Sequence, residues 1–133
     1  MQILLFECCG DLGDAGRFLV DLAGGLLARA WAVTAVLGEE GRLAEVLRRW
    51  KVPVTVISLP RWAYGGPATR WSWSPGVVAA PRLAGALRRV GRPLLYANGA
   101  ASALLGTVAA RLAGGQACWR AQTAGEDRKS TRL

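Results

Sequence analysis

Apolar and polar positions along the chain switch between two rhythms. Ile3-Leu4-Leu5-Phe6 is a short continuous apolar run, the pattern of a strand buried on both faces. The run Cys8 to Gly16, rich in Gly and Asp, reads as a loop. Phe18, Leu19, Leu22, Leu26 and Leu27 then recur at helical spacing, with Arg17, Asp21 and Arg29 on the other face. Gly24-Gly25 weakens this helix by roughly 1 kcal/mol per glycine relative to alanine, for which close packing on a sheet would compensate. A second strand fits Ala32 to Leu37, ended by Gly38, and a helix fits Gly41 to Trp50 with Leu43, Val46, Leu47 and Trp50 in one stripe. Val52 to Leu59, rich in β-branched residues, reads as a third strand.

Pro60 to Pro75 breaks the rhythm and reads as a long loop carrying Trp62, Tyr64, Trp71 and Trp73. Ser74-Pro75 has the form of an N-cap and first-turn proline, and Pro81 is expected to interrupt any helix started there, leaving the solid helix at Pro81 to Val90. Leu94 to Ala97 is a fourth strand. Asn98 is placed to cap the next helix, whose Leu104, Leu105, Val108 and Leu112 line one face. Gln116 to Trp119 is a fifth strand, and Ala121 to Leu133 is polar and aperiodic.

Strands alternating with helices imply an α/β fold: a three-layer, Rossmann-like domain with a doubly wound, mainly parallel sheet of five strands in the order 3-2-1-4-5. The chain has 133 residues, enough for one domain that buries roughly two-thirds of its unfolded surface. Residues 1–120 form that domain and 121–133 a polar tail. A composition that is 52% hydrophobic and 20% charged excludes disorder as the main state. Three cysteines without a CxxC pair argue against a disulfide scaffold. No apolar stretch reaches the length of a membrane span, and the N-terminus lacks a basic region and the long apolar run of a signal peptide. The expected location is therefore cytoplasmic, with reduced thiols.

Charge changes the picture when it is mapped. Residues 1–45 hold three Arg and seven Asp or Glu, whereas 46–125 hold eleven Lys or Arg and no acid. Such asymmetry implies a basic surface able to attract phosphates, nucleic acid or anionic lipid. Fifteen of the seventeen cations are Arg in a chain rich in Ala and Gly, so a GC-rich gene is an equal explanation of the excess.

In a sheet of this order ligands bind beyond the carboxyl ends of the strands, where the strand order reverses. Two loops meet there. Gly13, Asp14, Gly16 and Arg17 stand at a helix N-terminus, where backbone N–H groups and the helix dipole receive phosphate or carboxylate. Gly10, Gly13 and Gly16 do not make a G-x-G-x-x-G fingerprint, Asp11 and Asp14 repel anions, and a plain strand-to-helix turn is the simpler reading. Asn98, Gly99 and Ser102 offer an amide, a second helix N-terminus and a hydroxyl, with Asn98 either an N-cap or a ligand contact. Arg61, Trp62 and Tyr64 with Arg70 and Trp71 form an aromatic-basic loop that would stack on sugars, sit at a lipid interface, cover the sheet edge or meet another domain. The chain has no His, so the commonest neutral-pH base and zinc ligand are absent. Cys8, Cys9 and Cys118 form no visible metal set and read as buried structural thiols. Neither a catalytic residue nor a metal site is assigned.

Together, residues 3–60 (ILLFECCGDLGDAGRFLVDLAGGLLARAWAVTAVLGEEGRLAEVLRRWKVPVTVISLP) and 94–114 (LLYANGAASALLGTVAARLAG) resemble the N-terminal domain of family-4-type glycosyltransferases of the GT-B fold. The resemblance implies retaining transfer of a sugar from a nucleotide-sugar donor, a substrate rather than a cofactor, to a glycan or lipid-linked acceptor. It places Gly13 to Arg17 near the donor phosphates and Asn98 to Ser102 on the acceptor side, generally without a metal; nucleic-acid binding by the basic face is a weaker reading and nucleic acid is not expected as a partner, because no nucleic-acid-reading motif is present. It also implies a C-terminal domain, carrying an E-x7-E motif, that this chain lacks; alone, the chain would be an inactive, truncated half. A peripheral position on the anionic inner face of a membrane would follow from the basic residues. The chain departs from the pattern at Gly13-Asp14, where the family has Gly-Gly, at Trp119 to Gln122, where it often has His, and in the tail after Trp119. The alternative from another class is a stand-alone Rossmann-like module that binds a nucleotide or protein without catalysis.

Overall fold

The computed structural model describes residues 1–57 and 73–120. Nine elements follow in order: β1 (Gln2–Glu7), α1 (Asp14–Ala28), β2 (Ala32–Leu37), α2 (Arg42–Arg49), β3 (Val54–Val56), α3 (Trp73–Arg89), β4 (Leu94–Asn98), α4 (Ala100–Ala113) and β5 (Ala117–Arg120). The strands form one sheet in the order β3-β2-β1-β4-β5, and every neighbouring pair is parallel. This is the doubly wound α/β arrangement that the alternation of elements implies.

The apolar run of β1 divides between two cores. Ile3 and Leu5 join Leu19, Val20 and Ala23 of α1 and Leu43, Ala44 and Leu47 of α2. Leu4 and Phe6 join Leu83, Ala84 and Leu87 of α3 and Leu105, Ala109, Ala110 and Ala113 of α4. Because successive strand residues point to opposite faces, only a run apolar at every position fills both layers. Register aligns Phe6 with Val36 on one side and Ala97 on the other.

Four features differ from the sequence reading. The third strand is shorter, Val54–Val56, with Pro53 immediately before it. Helix α3 is continuous through Pro81 and starts at Trp73, ahead of the expected Ser74-Pro75 cap. Pro81 is exposed, while Ala79, Ala80, Leu83, Ala84 and Leu87 are buried on both sides of it along the helix. Core packing of that face holds the helix across the one missing backbone bond. In α4 the bulkier residues point outward: Leu104, Val108 and Leu112 are 49%, 43% and 52% exposed, and Leu105 alone of the expected stripe faces the core. Gly106 explains the rotation, since a Cβ there would meet the side chains of Leu95 and Ala97, so the small-residue face is the one that fits β4. Finally, Gly24 is packed not on the sheet but under the Trp50 ring that follows α2. The rest of the expected third strand to Leu59, the loop residues Arg61, Trp62, Tyr64, Arg70 and Trp71, and the 121–133 tail lie outside the described residues.

The two adjacent glycines of α1 therefore answer differently to the same change. Gly25 has open space around its Cα. Gly25→Ala should stabilise the chain by up to about 1 kcal/mol through helix propensity. Gly24→Ala must displace Trp50 and should destabilise by about 1–3 kcal/mol. Urea unfolding followed by circular dichroism measures both signs.

Candidate functional site

The carboxyl ends of β1 and β4 lie side by side, and the segments that leave them lead into α1 and α4. Helix α1 begins after Gly13 and α4 after Gly99, and neither has a side-chain cap bond. Gly99 sits at φ 90°, a conformation that favours glycine, and gives the chain its sharp entry into α4. Gly13 and Asp14 are exposed at the start of α1, as is Arg17 one turn on. Gly16 is buried, with no room for a Cβ against the Asp11 carbonyl oxygen. The turn after β1 is thus drawn tightly onto the first turn of α1, leaving backbone N–H groups at its exposed tip.

Asn98 is not the helix cap expected of it. It ends β4, is 5% exposed, and its Nδ2 donates to Glu7 Oε2 at 2.7 Å and to the Ala15 carbonyl at 2.8 Å. Ser102 is buried in the first turn of α4, where its Oγ accepts the Cys8 N–H at 3.1 Å. The structure therefore brings Asn98 and Ser102 together with the turn that carries Gly13 to Arg17, but beneath the surface.

The residue at the centre of this cluster is Glu7, which sequence reasoning passed over. It is 6% exposed at the end of β1. Its carboxyl group accepts Asn98 Nδ2 on one oxygen and the Cys9 N–H, at 3.3 Å, on the other. Burial pushes its pKa above the ordinary carboxylate value, and bonds from the Cys9 N–H, Asn98, the Cys8 N–H and Ser102 pull partly back. Its signal in the sequence was a carboxylate directly following four apolar strand residues.

Arg120 was likewise not singled out. It ends β5 in register with Asn98, and its guanidinium lies 4.3 Å from the centroid of the Phe18 ring. This cation–π contact brings a positive charge to the start of α1. The start of α1, where the first helical N–H groups have no intrahelical partner, thus lies near the guanidinium of Arg120, while exposed Asp11 and Asp14 put negative charge at the same turn. Among the described residues no group of three His, Cys, Asp or Glu is placed to hold a metal ion, and no helix is long and apolar enough to cross a membrane.

The cysteines divide. Cys8 is buried and its thiol is pushed up to about 12, chiefly by burial. Cys118, read from the sequence as buried, is exposed on β5. Burial of its sulfur also pushes the Cys118 thiol up, so it is exposure that sets it apart: at pH 8 a thiol reagent such as Ellman's should modify Cys118 ahead of Cys8, in a phase that Cys118→Ser removes. Cys8 should react only on unfolding, because the thiolate is the reactive form. Stopped-flow absorbance with and without urea checks both phases.

No protein-family model and no curated protein matches the sequence. Solved structures do match the fold. HepE of Anabaena, in complex with UDP, aligns over 90% of this chain with a TM-score of 0.63 and 22% identity. HepE with UDP and glucose aligns over the same 90% with a TM-score of 0.62. MurG of Acinetobacter baumannii aligns over 99% of this chain with a TM-score of 0.69 and 13% identity. The chain spans only 29% of the HepE chain and 39% of the MurG chain. The five-stranded parallel sheet and four helices of the described residues thus have the Rossmann-like fold found in one part of HepE and of MurG.

Proposed function

We propose that residues 1–120 are the acceptor-side half of a retaining glycosyltransferase. It would move a sugar from a nucleotide-sugar to a glycan or lipid-linked acceptor, and would be inactive without a second Rossmann-like domain facing it. The observation that carries this reading is the alignment of nearly the whole chain with under two-fifths of enzymes such as HepE, whose structures hold UDP and UDP-glucose. In this reading the exposed start of α1, Gly13 to Arg17, lies against the donor phosphates, and Arg17 and Arg120 supply positive charge beside them. Gly99 borders the acceptor side, while Asn98 and Ser102, both buried, act from behind by holding the backbone. The basic residues 46–125 would hold a phosphate-bearing acceptor or the anionic inner face of a membrane, placing the protein in the cytoplasm at that surface.

The outward stripe of α4 supports the same reading. Leu104, Val108 and Leu112 lie on the helix that precedes β5, and β5 is the edge of the sheet, with Trp119 55% exposed on it. A further α/β unit of the enzyme would cover these residues and pair with that edge. Without such a unit the 133-residue chain should self-associate through them, and Val108→Glu should shift it toward monomer without loss of stability; analytical ultracentrifugation and thermal melts read the two effects.

Activity decides between this reading and a binding module. The chain on its own should release no UDP from UDP-glucose in the presence of lipid-linked or glycan acceptors. The source gene, read beyond codon 120, should continue into a second Rossmann-like domain with a Glu-x7-Glu pair. The polypeptide so extended should turn over, and Arg17→Ala in it should lower kcat/KM by about tenfold, the loss of one charge-assisted contact. A stop codon after Leu133, or turnover by the 133-residue chain itself, would sink the proposal. The stop would favour the non-catalytic nucleotide- or protein-binding module.

A further inference from the structure

We propose that Glu7 is a positioning residue of the crevice: its carboxyl group ties Asn98 to the turn after β1 and so sets the N-termini of α1 and α4 relative to each other. The connections are specific. One carboxyl oxygen takes the Cys9 N–H in the turn, and the other takes Asn98 Nδ2 at the end of β4. That same Nδ2 continues to the Ala15 carbonyl in the first turn of α1. Ser102, in the first turn of α4, takes the Cys8 N–H. The buried carboxyl group thus joins the turn directly to the end of β4, with α1 linked on through Asn98 and α4 through Ser102 on the neighbouring Cys8 N–H.

A glutamine would satisfy the same two donors through its carbonyl oxygen only in part, and a leucine not at all. A buried carboxyl at this point carries something that apolar filling does not: it titrates. The ionisable groups around it are Cys8 and Cys9 in its own segment, Tyr96 on β4, and Glu39, which accepts the Gly10 N–H across the turn. The α4 and α1 contacts, Ser102 and the Ala15 carbonyl, are neutral. Burial raises the native pKa above the unfolded value of 4.5. The native state therefore holds the proton more tightly. This contribution to stability is fully present below pH 4.5 and is lost as pH rises through the native value.

The inference concerns the crevice itself and stands or falls without any ligand, so failure of the sugar-transfer reading leaves it intact. The test is a pH titration of the full 133-residue chain by 15N NMR, following the Asn98 side-chain NH2 and the Cys9 amide. Both should shift with one shared inflection above pH 4.5, and Glu7→Gln should abolish it in both. Asn98→Ala should move the Cys9 inflection to higher pH, because Asn98 favours the charged carboxylate. Glu7→Ala should speed hydrogen exchange at Cys9 by about tenfold, with Glu7→Gln restoring part of the protection. If Glu7→Ala does not fold, the two conservative titrations carry the result. Separate inflections at Asn98 and Cys9, an inflection that survives Glu7→Gln, or an Asn98→Ala shift to lower pH would overturn the proposal.

Discussion

Strand β1 has neither a free edge nor a wet face. β2 and β4 pair along its two sides, and helices cover it above and below. From Ile3 to Glu7 every residue is buried. For the four apolar residues this is the main source of stability, at roughly 1.5–3 kcal/mol for each large side chain. For Glu7 the same burial is a cost, offset by donors that must come from the adjoining turn and from β4. The packing of one strand thus dictates that the ends of β1 and β4 be tied by hydrogen bonds.

Parallel pairing extends that constraint to the site. All five strands run the same way, so their carboxyl ends and the starts of α1, α2 and α4 gather at one edge of the sheet. The turn after β1 is pinned from several directions. Gly10 N–H donates to Glu39 Oε1 at 2.9 Å, the Gly10 carbonyl accepts the Leu43 N–H of α2, and the Gly38 N–H returns to the Glu7 carbonyl. HepE and MurG share the fold at 22% and 13% identity, which reflects how few sequence requirements the fold itself imposes.

The two faces of the sheet are finished to different degrees. On the α1 and α2 side, Trp50 closes over Gly24 and the apolar residues meet one another. On the other side α4 gives its small residues to the sheet and keeps Leu104, Val108 and Leu112 outside. That choice follows from distance. A helix beside β4 must bring Gly106 against Leu95 and Ala97, and no larger residue fits there.

Element type and order were legible in the sequence because a strand buried on both faces and an amphipathic helix leave different periods. The short run Ile3 to Phe6, the stripe Leu43, Val46 and Leu47, and Gly38 at the end of β2 are among the signals that sufficed for the α/β fold and its strand order. The sequence also indicated that Gly13 to Arg17 and Asn98 to Ser102 would meet at the ends of β1 and β4. Tertiary structure decided the rest. Local rules break a helix at Pro81, but packing of Ala79, Ala80, Leu83 and Leu87 holds it together. Periodicity marks α4 as apolar on a broad arc without saying which part faces the sheet. Asn98 looks like a cap by its neighbours in sequence, yet a carboxyl group 91 residues away takes its amide. Glu7 reads as the polar end of a strand until the fold removes it from water. Contacts between distant segments are not encoded in local period or spacing, and it is those contacts that make the crevice.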